Sequence, residues 1–430
     1  MSAEVSYPTV SRTLDNGLRV VVSPTPGLGV VAVNIWYDVG SRHEQPHRQG
    51  FAHLFEHLMF QGSANLEKLE HFRYVQSSGG TFNGSTHFDY TNYFEALPSN
   101  ALERGLFLEA DRMLSPRITE ENLANQLEVV KNEIRVNVLN RPYGGFPWIY
   151  LPAVLFDSFA NSHNGYGGFE DLESATVADA SDFFATFYAP ANAVLAVAGD
   201  LDVDETLALV EKHFGGIKKR RAPERPSFAE PPLTAERRST HDDPHAPIPS
   251  VAIGYRVIDP VGSLNDLLAT LLLAEVLSDG DASRLQRRLV QRDHLVTDIS
   301  AYVGEFGDPF DERDPTTFTI NAQYPDAGAL DAILRAIDEE LDRIAEDGLE
   351  PGELDRVRTR LTSVLLRDMD AVISRTLEFA KFELVHGRAE LIAELPSRLA
   401  ARSVDDIRAA AGALRPDRRA VLELIAGGAK

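Results

Sequence analysis

A polar, proline-rich stretch near the middle of the chain is the feature that most constrains the fold. From Lys218 to about Pro249 the sequence contains a basic cluster followed by repeated prolines. Such a composition favours an extended linker. A chain of 430 residues is also too long for one ordinary hydrophobic core. We therefore expect two domains, residues 1–218 and 250–430, joined by a linker at 219–249.

In the first half, residues 51–58 carry apolar side chains at the i, i+3, i+4, i+7 spacing of an amphipathic helix. On such a helix His53 and His57 project from the same side, and Glu56 lies beside them. Two neutral nitrogen ligands and a carboxylate that can accept a proton from metal-bound water are what a hydrolytic zinc site needs. The order of the residues is the reverse of the commoner His-Glu-x-x-His motif. This short pattern also fits two histidines that are satisfied by hydrogen bonds on a half-buried helix.

A hydrolytic zinc site needs a third protein ligand and keeps its fourth position open for water. The segment from Glu121 to Arg135 predicts a long helix on which Gln126, Val130 and Glu133 share one face. A carboxylate aligned with an apolar residue is expected to be partly buried, and a buried carboxylate needs a partner or a metal. Glu133 is therefore the candidate third ligand. On helix geometry alone, a salt bridge from Glu133 to a lysine or arginine explains the pattern at least as well.

Taken together, these residues resemble the pitrilysin/insulinase family of zinc metallopeptidases. The resemblance includes the paired histidines, and Glu133 at the end of a Val-Val-Lys-Asn-Glu stretch. Three further segments agree: Leu14–Val20 resembles the opening hairpin of such domains, Gly79–Tyr93 the edge strand of the active site, and Tyr188–Asp200 the last strand of the first domain. The match is strong in the first half of the chain and looser in the second.

The resemblance implies a site residue by residue. His53, His57 and Glu133 would bind one Zn²⁺ ion per chain. Glu56 would be the general base that activates the zinc-bound water and then passes the proton to the leaving amine. Gln126 stands where many relatives carry a glutamate, behind the ligands. We expect Gln126 to hydrogen-bond a ligating histidine and to tune zinc binding without abolishing it.

The resemblance also implies how substrate binds. The strand around Phe82, Asn83 and Gly84 would pair with an extended peptide at the edge of the sheet, and Asn83 would hydrogen-bond the backbone of the substrate. The glycines at 79 and 80 allow the backbone to approach closely. A tight turn before a strand explains those glycines equally well.

Two segments in the second half of the chain resemble segments in the first half. Val251–Ile253 resembles Val31–Val33, and Leu271–Leu277 resembles the motif helix with Leu272 and Val276 where the histidines would be. The family resemblance implies an α+β fold of two structurally related domains, each an antiparallel sheet packed against a helical layer. Only the first domain would hold zinc.

At this length the chain resembles half-length family members, the mitochondrial processing peptidase subunits and their bacterial relatives. A closed chamber in this family needs four domains, so the resemblance implies a dimer. The segment Thr316–Tyr324 lacks the arginine that the family often carries on the comparable strand. This absence favours a heterodimer with a zinc-less homologous subunit, and a homodimer stays open. The expected activity is endopeptidase cleavage of peptides or small unfolded polypeptides inside the chamber.

The amino-acid composition argues against several classes of function. The formal net charge of −23 argues against nucleic-acid binding and suits basic peptide substrates, although generic acidic proteins share it. With no cysteine in the chain, disulfides, thiol catalysis and thiolate metal sites are excluded. The first residues lack the pattern of a signal peptide, and no apolar run approaches about 18 residues. We therefore expect a cytoplasmic protein without a membrane span.

Three other functions stay open on the sequence. The chain could be a non-catalytic core subunit of a larger complex, a subunit that binds peptides without cutting them, or a metal-dependent hydrolase of another substrate. The presence of His53, Glu56, His57 and Glu133 argues against the first. The edge strand around Asn83 argues for peptides over other substrates.

Overall fold

The computed structural model describes residues 6–427, and these form two compact units. Unit 1 consists of the residues up to 131, 165–226 and 365–394; unit 2 consists of 132–164, 227–364 and the residues from 395 onward. This grouping differs from the contiguous limits expected above, because residues 132–164 pack with the second half of the chain and residues 365–394 pack with the first. The limits 1–218 and 250–430 stay a prediction.

The strands, in chain order, are β1 (Val10–Thr13), β2 (Arg19–Pro24), β3 (Val30–Tyr37), β4 (Thr81–Thr86), β5 (Thr91–Pro98), β6 (Ala193–Gly199), β7 (Arg237–Asp243), β8 (Ser250–Val257), β9 (Asp298–Val303), β10 (Thr316–Gln323) and β11 (Arg419–Ala426). The α-helices are α1 (Phe51–Leu58), α2 (Glu70–Ser77), α3 (Leu102–Leu114), α4 (Glu120–Ile134), α5 (Leu151–Leu155), α6 (Phe159–Ser162), α7 (Phe169–Glu173), α8 (Val177–Phe187), α9 (Val203–Phe214), α10 (Leu264–Ser278), α11 (Leu330–Asp347), α12 (Glu353–Asp368), α13 (Val372–His386), α14 (Leu391–Ala400) and α15 (Val404–Ala413). The unit boundaries near residues 131, 364 and 394 fall inside α4, α12 and α14.

Unit 1 is built on a six-stranded sheet in the order β1-β2-β6-β3-β5-β4. Its pairs are antiparallel except for β2 and β6. The central strand β3 is apolar and is buried from Val31 to Tyr37, as expected for a strand covered on both faces. Helix α13 packs on β3 and β6, and α3 packs on β3 and β5. Strand β4 ends the sheet, so one of its edges has no neighbouring strand among residues 6–427.

Unit 2 repeats this plan with a five-stranded sheet in the order β7-β11-β8-β10-β9. Helix α5 packs on β11 and β8, and α10 packs on β9. Leu272 and Val276, which the sequence comparison above sets against the motif histidines, are completely buried on α10. This helix therefore contributes hydrophobic packing at the positions where α1 carries histidines.

The α+β class is confirmed, with one difference. Each sheet contains one parallel pair, β2 with β6 and β7 with β11, so the sheets are mixed and not purely antiparallel. Two parallel strands can be joined only by a long crossover. The chain between β2 and β6, and the chain between β7 and β11, each contain most of the elements of one unit. Residues 237–243 of the expected linker form β7, because they pair with β11 at the edge of the second sheet. Among residues 6–427, no helix has both the length and the apolar character needed to cross a membrane.

Candidate metal centre

The predicted motif helix is confirmed as α1, which runs from Phe51 to Leu58. Its apolar side chains Leu54, Phe55 and Leu58 are completely buried, as the spacing predicts. His53 and His57 are half-buried, at the edge of that apolar stripe. The packing of the stripe therefore fixes the direction in which both imidazoles point.

The start of α1 is held by backbone geometry and by a carboxylate. Gly50 precedes the helix with φ of 81°, and a Cβ there would lie 2.2 Å from the carbonyl oxygen of Tyr166. Only glycine fits such a close approach in this conformation. The carboxylate of Glu44 accepts hydrogen bonds from the N–H groups of Gly50 (2.9 Å) and Ala52 (2.8 Å). It thereby satisfies N–H groups that a helix start leaves free.

The structure brings the three candidate ligands together. The Nε2 atoms of His53 and His57 are 3.3 Å apart, and one ligand atom from each of His53, His57 and Glu133 lies within 4.8 Å of the others. Two nitrogens bound to one tetrahedral zinc at about 2.0–2.1 Å would be about 3.3–3.4 Å apart. Two imidazoles and one carboxylate are also a donor set of catalytic zinc sites. The residues present therefore fit a zinc ion, and their assignment as its ligands stays a proposal.

Gln126 lies behind one of the histidines, on the same helix as Glu133. Its Oε1 atom is 3.3 Å from Nδ1 of His57, while its Nε2 atom donates to Oδ1 of Asn125 at 3.0 Å. An amide oxygen that faces the ring favours the tautomer in which Nδ1 of His57 carries the proton and Nε2 keeps its lone pair for a metal. The hydrogen bond expected from Gln126 to a candidate ligand is therefore present. Its effect on zinc affinity stays a prediction.

Glu56 is enclosed between α1 and the edge strand β4. The side chain is 8% exposed, and its Oε2 accepts a hydrogen bond of 2.6 Å from Oγ1 of Thr86. A Cβ on Gly84 would lie 3.1 Å from Oε1 of Glu56, so the absence of a side chain there leaves this oxygen accessible from the strand. Sequence reasoning missed Thr86. The period of two along a strand puts Thr86 on the same face as Gly84 and could have identified it.

The three expected substrate-binding residues lie in β4 but differ in their surroundings. Asn83 is exposed, and its Oδ1 accepts a hydrogen bond from the N–H of Gly84 at 3.0 Å. Phe82 is partly buried and stacks on Phe72 of α2, with ring centroids 4.7 Å apart. An edge strand of this kind is able to receive another strand. Their contacts with substrate stay a prediction.

Comparison with known proteins yields two matching family profiles. The profile described as Insulinase (Peptidase family M16) matches residues 19–142, which include the candidate ligands and Glu56. The profile described as Peptidase M16 inactive domain matches residues 174–361. Both halves of the chain are therefore similar to parts of the same group of peptidases.

Individual relatives extend over most of the chain. Zinc protease PqqE of Helicobacter pylori is 28% identical over 372 residues, which cover 84% of this chain and 80% of that protein. The human mitochondrial-processing peptidase subunit beta is 25% identical over 412 residues, which cover 92% of this chain and 80% of that protein. The crystal structure of a protease from Helicobacter pylori superposes with a TM-score of 0.87 at 26% identity, covering 97% of this chain and 99% of that one.

Proposed function

The chain belongs to the insulinase (M16) family of peptidases, and we propose that it is a zinc-dependent endopeptidase that cleaves peptides or small unfolded polypeptides. The observation that carries this proposal is the convergence of donor atoms from His53, His57 and Glu133 within 4.8 Å. The buried carboxylate of Glu56 stands next to His57 on the same helix. Ligands and base therefore occur together, as hydrolysis of a peptide bond requires.

His53, His57 and Glu133 would hold the zinc ion, which would lower the pKa of a water molecule and polarise the scissile carbonyl. Glu56 accepts a proton from the attacking water as the oxygen of that water bonds to the carbonyl carbon. Thr86 donates a hydrogen bond of 2.6 Å to Oε2 of Glu56 and so helps to orient the carboxylate for this transfer. As the C–N bond breaks, Glu56 returns this proton to the nitrogen of the leaving amine.

The substrate is an extended peptide that adds to the free edge of β4. Gly84 supports this mode of binding, since it lies beside Oε1 of Glu56 and presents no side chain to obstruct a peptide. Asn83, exposed on the same strand, offers its side-chain amide to the substrate backbone. Phe82 supports the strand from below by stacking on Phe72. The net charge of −23 favours basic substrates through long-range attraction.

The working assembly is a dimer of two-domain subunits that encloses a chamber. A zinc-less homologous partner is favoured over a second copy, because β10 contains no arginine to face the substrate. The name of one relative, mitochondrial-processing peptidase subunit beta, describes a subunit and not a whole enzyme. A cytoplasmic location remains part of the proposal.

The test measures zinc content and cleavage of a quenched library of basic, flexible peptides by the purified chain. We expect about one zinc per chain in the wild type and in Glu56→Gln, with cleavage only by the wild type. Glu133→Gln loses zinc, whereas Glu128→Gln, an exposed change on the same helix, keeps both zinc and activity. A chelator abolishes cleavage, and added Zn²⁺ restores it. A wild-type chain that holds no zinc contradicts the site.

A wild-type chain that binds zinc but does not cleave peptides would support a different function. If the wild type binds zinc but cuts nothing, either alone or mixed with a zinc-less homologue, the alternative of a non-catalytic or peptide-binding subunit replaces the endopeptidase. The description "inactive domain" does not itself favour that alternative. It belongs to the profile that matches residues 174–361, and these contain none of the residues of the candidate centre.

A further inference from the structure

A second group of ionisable side chains is enclosed in unit 1, apart from the candidate metal centre. It consists of His71 on α2, Glu95 on β5, and Glu109 and Arg112 on α3, each at most 5% exposed. One ligand atom from each of His71, Glu95 and Glu109 lies within 4.8 Å of the others. So many ionisable groups are rarely buried together without a specific arrangement of charges and protons.

The contacts within this cluster leave several oxygens without a hydrogen-bond donor. The guanidinium of Arg112 contacts Oε1 of Glu109 and lies 4.0 Å from Oε1 of Glu95. Nε2 of His71 is 3.3 Å from the same Glu95 oxygen. Within residues 6–427, neither Oε1 nor Oε2 of Glu95 receives a hydrogen bond, and Oε2 of Glu109 receives none. Nε2 of His71 and Nε and Nη1 of Arg112 also have no hydrogen-bond partner among the described residues. The carboxyl oxygens thus lie close to donors that do not bond to them, which is costly for buried acceptors.

The charges of the cluster point to the same conclusion. Two ionised carboxylates and one guanidinium leave a net charge of −1 when His71 is neutral. Arg112 is also packed over the rings of Phe60 (4.9 Å) and Tyr93 (4.3 Å), so the surroundings are aromatic and buried. One added proton neutralises the cluster, whereas a divalent metal ion would leave a buried net positive charge beside Arg112.

We propose that this cluster is a proton-binding site in which Glu95 and Glu109 share one proton, His71 stays neutral and Arg112 balances the remaining negative charge. The shared proton supplies a donor placed between the two carboxyl groups, one oxygen of each being within 4.8 Å of the other. It also removes the repulsion that two ionised carboxylates would have at this separation. The bound ligand is thus a proton, held by a carboxyl pair that lies outside the machinery proposed for catalysis.

The acid–base properties of the individual groups agree with this assignment. Burial raises the pKa of Glu109 to about 8 against the opposing charge of Arg112, and Glu95 adds to the rise. Burial also raises the pKa of Glu95. Burial and then the charge of Arg112 lower the pKa of His71 to about 3, so the imidazole is neutral when the carboxyl pair titrates.

The other groups that face the pair do not compete for the proton. Burial raises the pKa of each neighbouring tyrosine above its usual value, so all of them are neutral throughout this range. The titratable and charged groups packed around the pair are Tyr37 from β3, His71 from α2, Tyr93 from β5, Arg112 from α3, and Tyr188 after α8.

The buried cluster contacts the edge strand β4. The ring of His71 lies 5.6 Å from that of Phe82 in β4 and 6.0 Å from that of Phe60. Glu95 pairs across the sheet with Phe82. Loss of the proton therefore places an unbalanced negative charge on β5, next to β4. Because the folded chain keeps a proton that the unfolded carboxyl releases above about pH 4.5, stability falls as pH rises from there through about 8.

The experiment is urea unfolding of the full chain at several pH values, comparing the wild type with Glu109→Gln. Glutamine has the shape of a protonated glutamate and does not titrate. In a Trp148→Phe background, the fluorescence of buried Trp36 reports on unit 1 alone. We expect the folding equilibrium constant of the wild type, relative to Glu109→Gln, to fall about tenfold per pH unit between about pH 5 and 8. Parallel pH profiles overturn the proposal.

Two more variants and one control define the site. Glu95→Gln also removes the pH dependence, because either substitution leaves one carboxylate balanced by Arg112. The double variant is destabilised at every pH, because Arg112 then has no partner. Glu103→Gln, an exposed change on the same helix, should behave as the wild type does. A Glu95→Gln or Glu109→Gln variant that keeps the full pH dependence of the wild type contradicts proton sharing.

Infrared spectroscopy tests the proposal on the wild type itself and does not require any variant to fold. A carbonyl band of a protonated carboxyl group is expected at neutral pH and should disappear on alkaline titration. Absence of this band in the wild type refutes the shared proton. A second equivalent of bound metal that is lost in Glu109→Gln refutes it as well, because the cluster would then be a metal site.

Discussion

Replacing Thr86 by valine tests how Glu56 is held for catalysis. Valine keeps the branched shape of threonine but cannot donate the 2.6 Å hydrogen bond to Oε2 of Glu56. Hydrogen bonds to charged groups contribute about 1.5–3 kcal/mol. If this energy serves to orient the base, its loss lowers kcat roughly 10- to 150-fold. KM should change little, since Thr86 acts on Glu56 and not on the substrate.

The assay is steady-state cleavage of one quenched peptide, with zinc content measured on the same samples. Thr86→Ser keeps the hydroxyl and should recover most of the activity. Thr81→Val makes the same chemical change at an exposed position of β4 and should leave kcat unaltered. Activity of Thr86→Val within about twofold of the wild type, with zinc retained, would refute the positioning role, because a loss of about 1.5 kcal/mol cannot be so small in rate.

Three further changes test other parts of the structure. Gln126→Leu removes the hydrogen bond to His57 and should weaken zinc binding about 10- to 100-fold in chelator competition, whereas Gln126→Glu should not. Leu272→Ala opens a cavity in the core of unit 2 and should lower the free energy of unfolding by about 2–5 kcal/mol in urea, with zinc content unchanged. His71 has its pKa lowered to about 3 by burial, so its contribution to stability is present above about pH 6.5 and is lost as pH falls toward 3. His71→Gln should therefore flatten the acid side of the unfolding profile, and an unchanged acid side would show that His71 is not buried as a neutral ring.

The sequence determined those parts of the site that depend on local spacing. Apolar residues at helical intervals identified α1 and the direction of its histidines, because the core packs one stripe of a helix. The long helix that carries Gln126 and Glu133 was predicted for the same reason. Spacing alone could not choose between zinc and a salt bridge for Glu133. The family resemblance made that choice, and the structure then brought Glu133 close to both histidines.

The contacts between distant segments were decided only by the tertiary structure. Thr86 reaches Glu56 across 30 residues, and α13 covers β3 and β6 from near the end of the chain. His71, Glu95, Glu109 and Arg112 look like ordinary surface charges in the sequence, yet they form one buried cluster. Local periodicity reports which face of an element is apolar. Which charged groups become enclosed together depends on how separate elements pack, and that is a property of the folded chain alone.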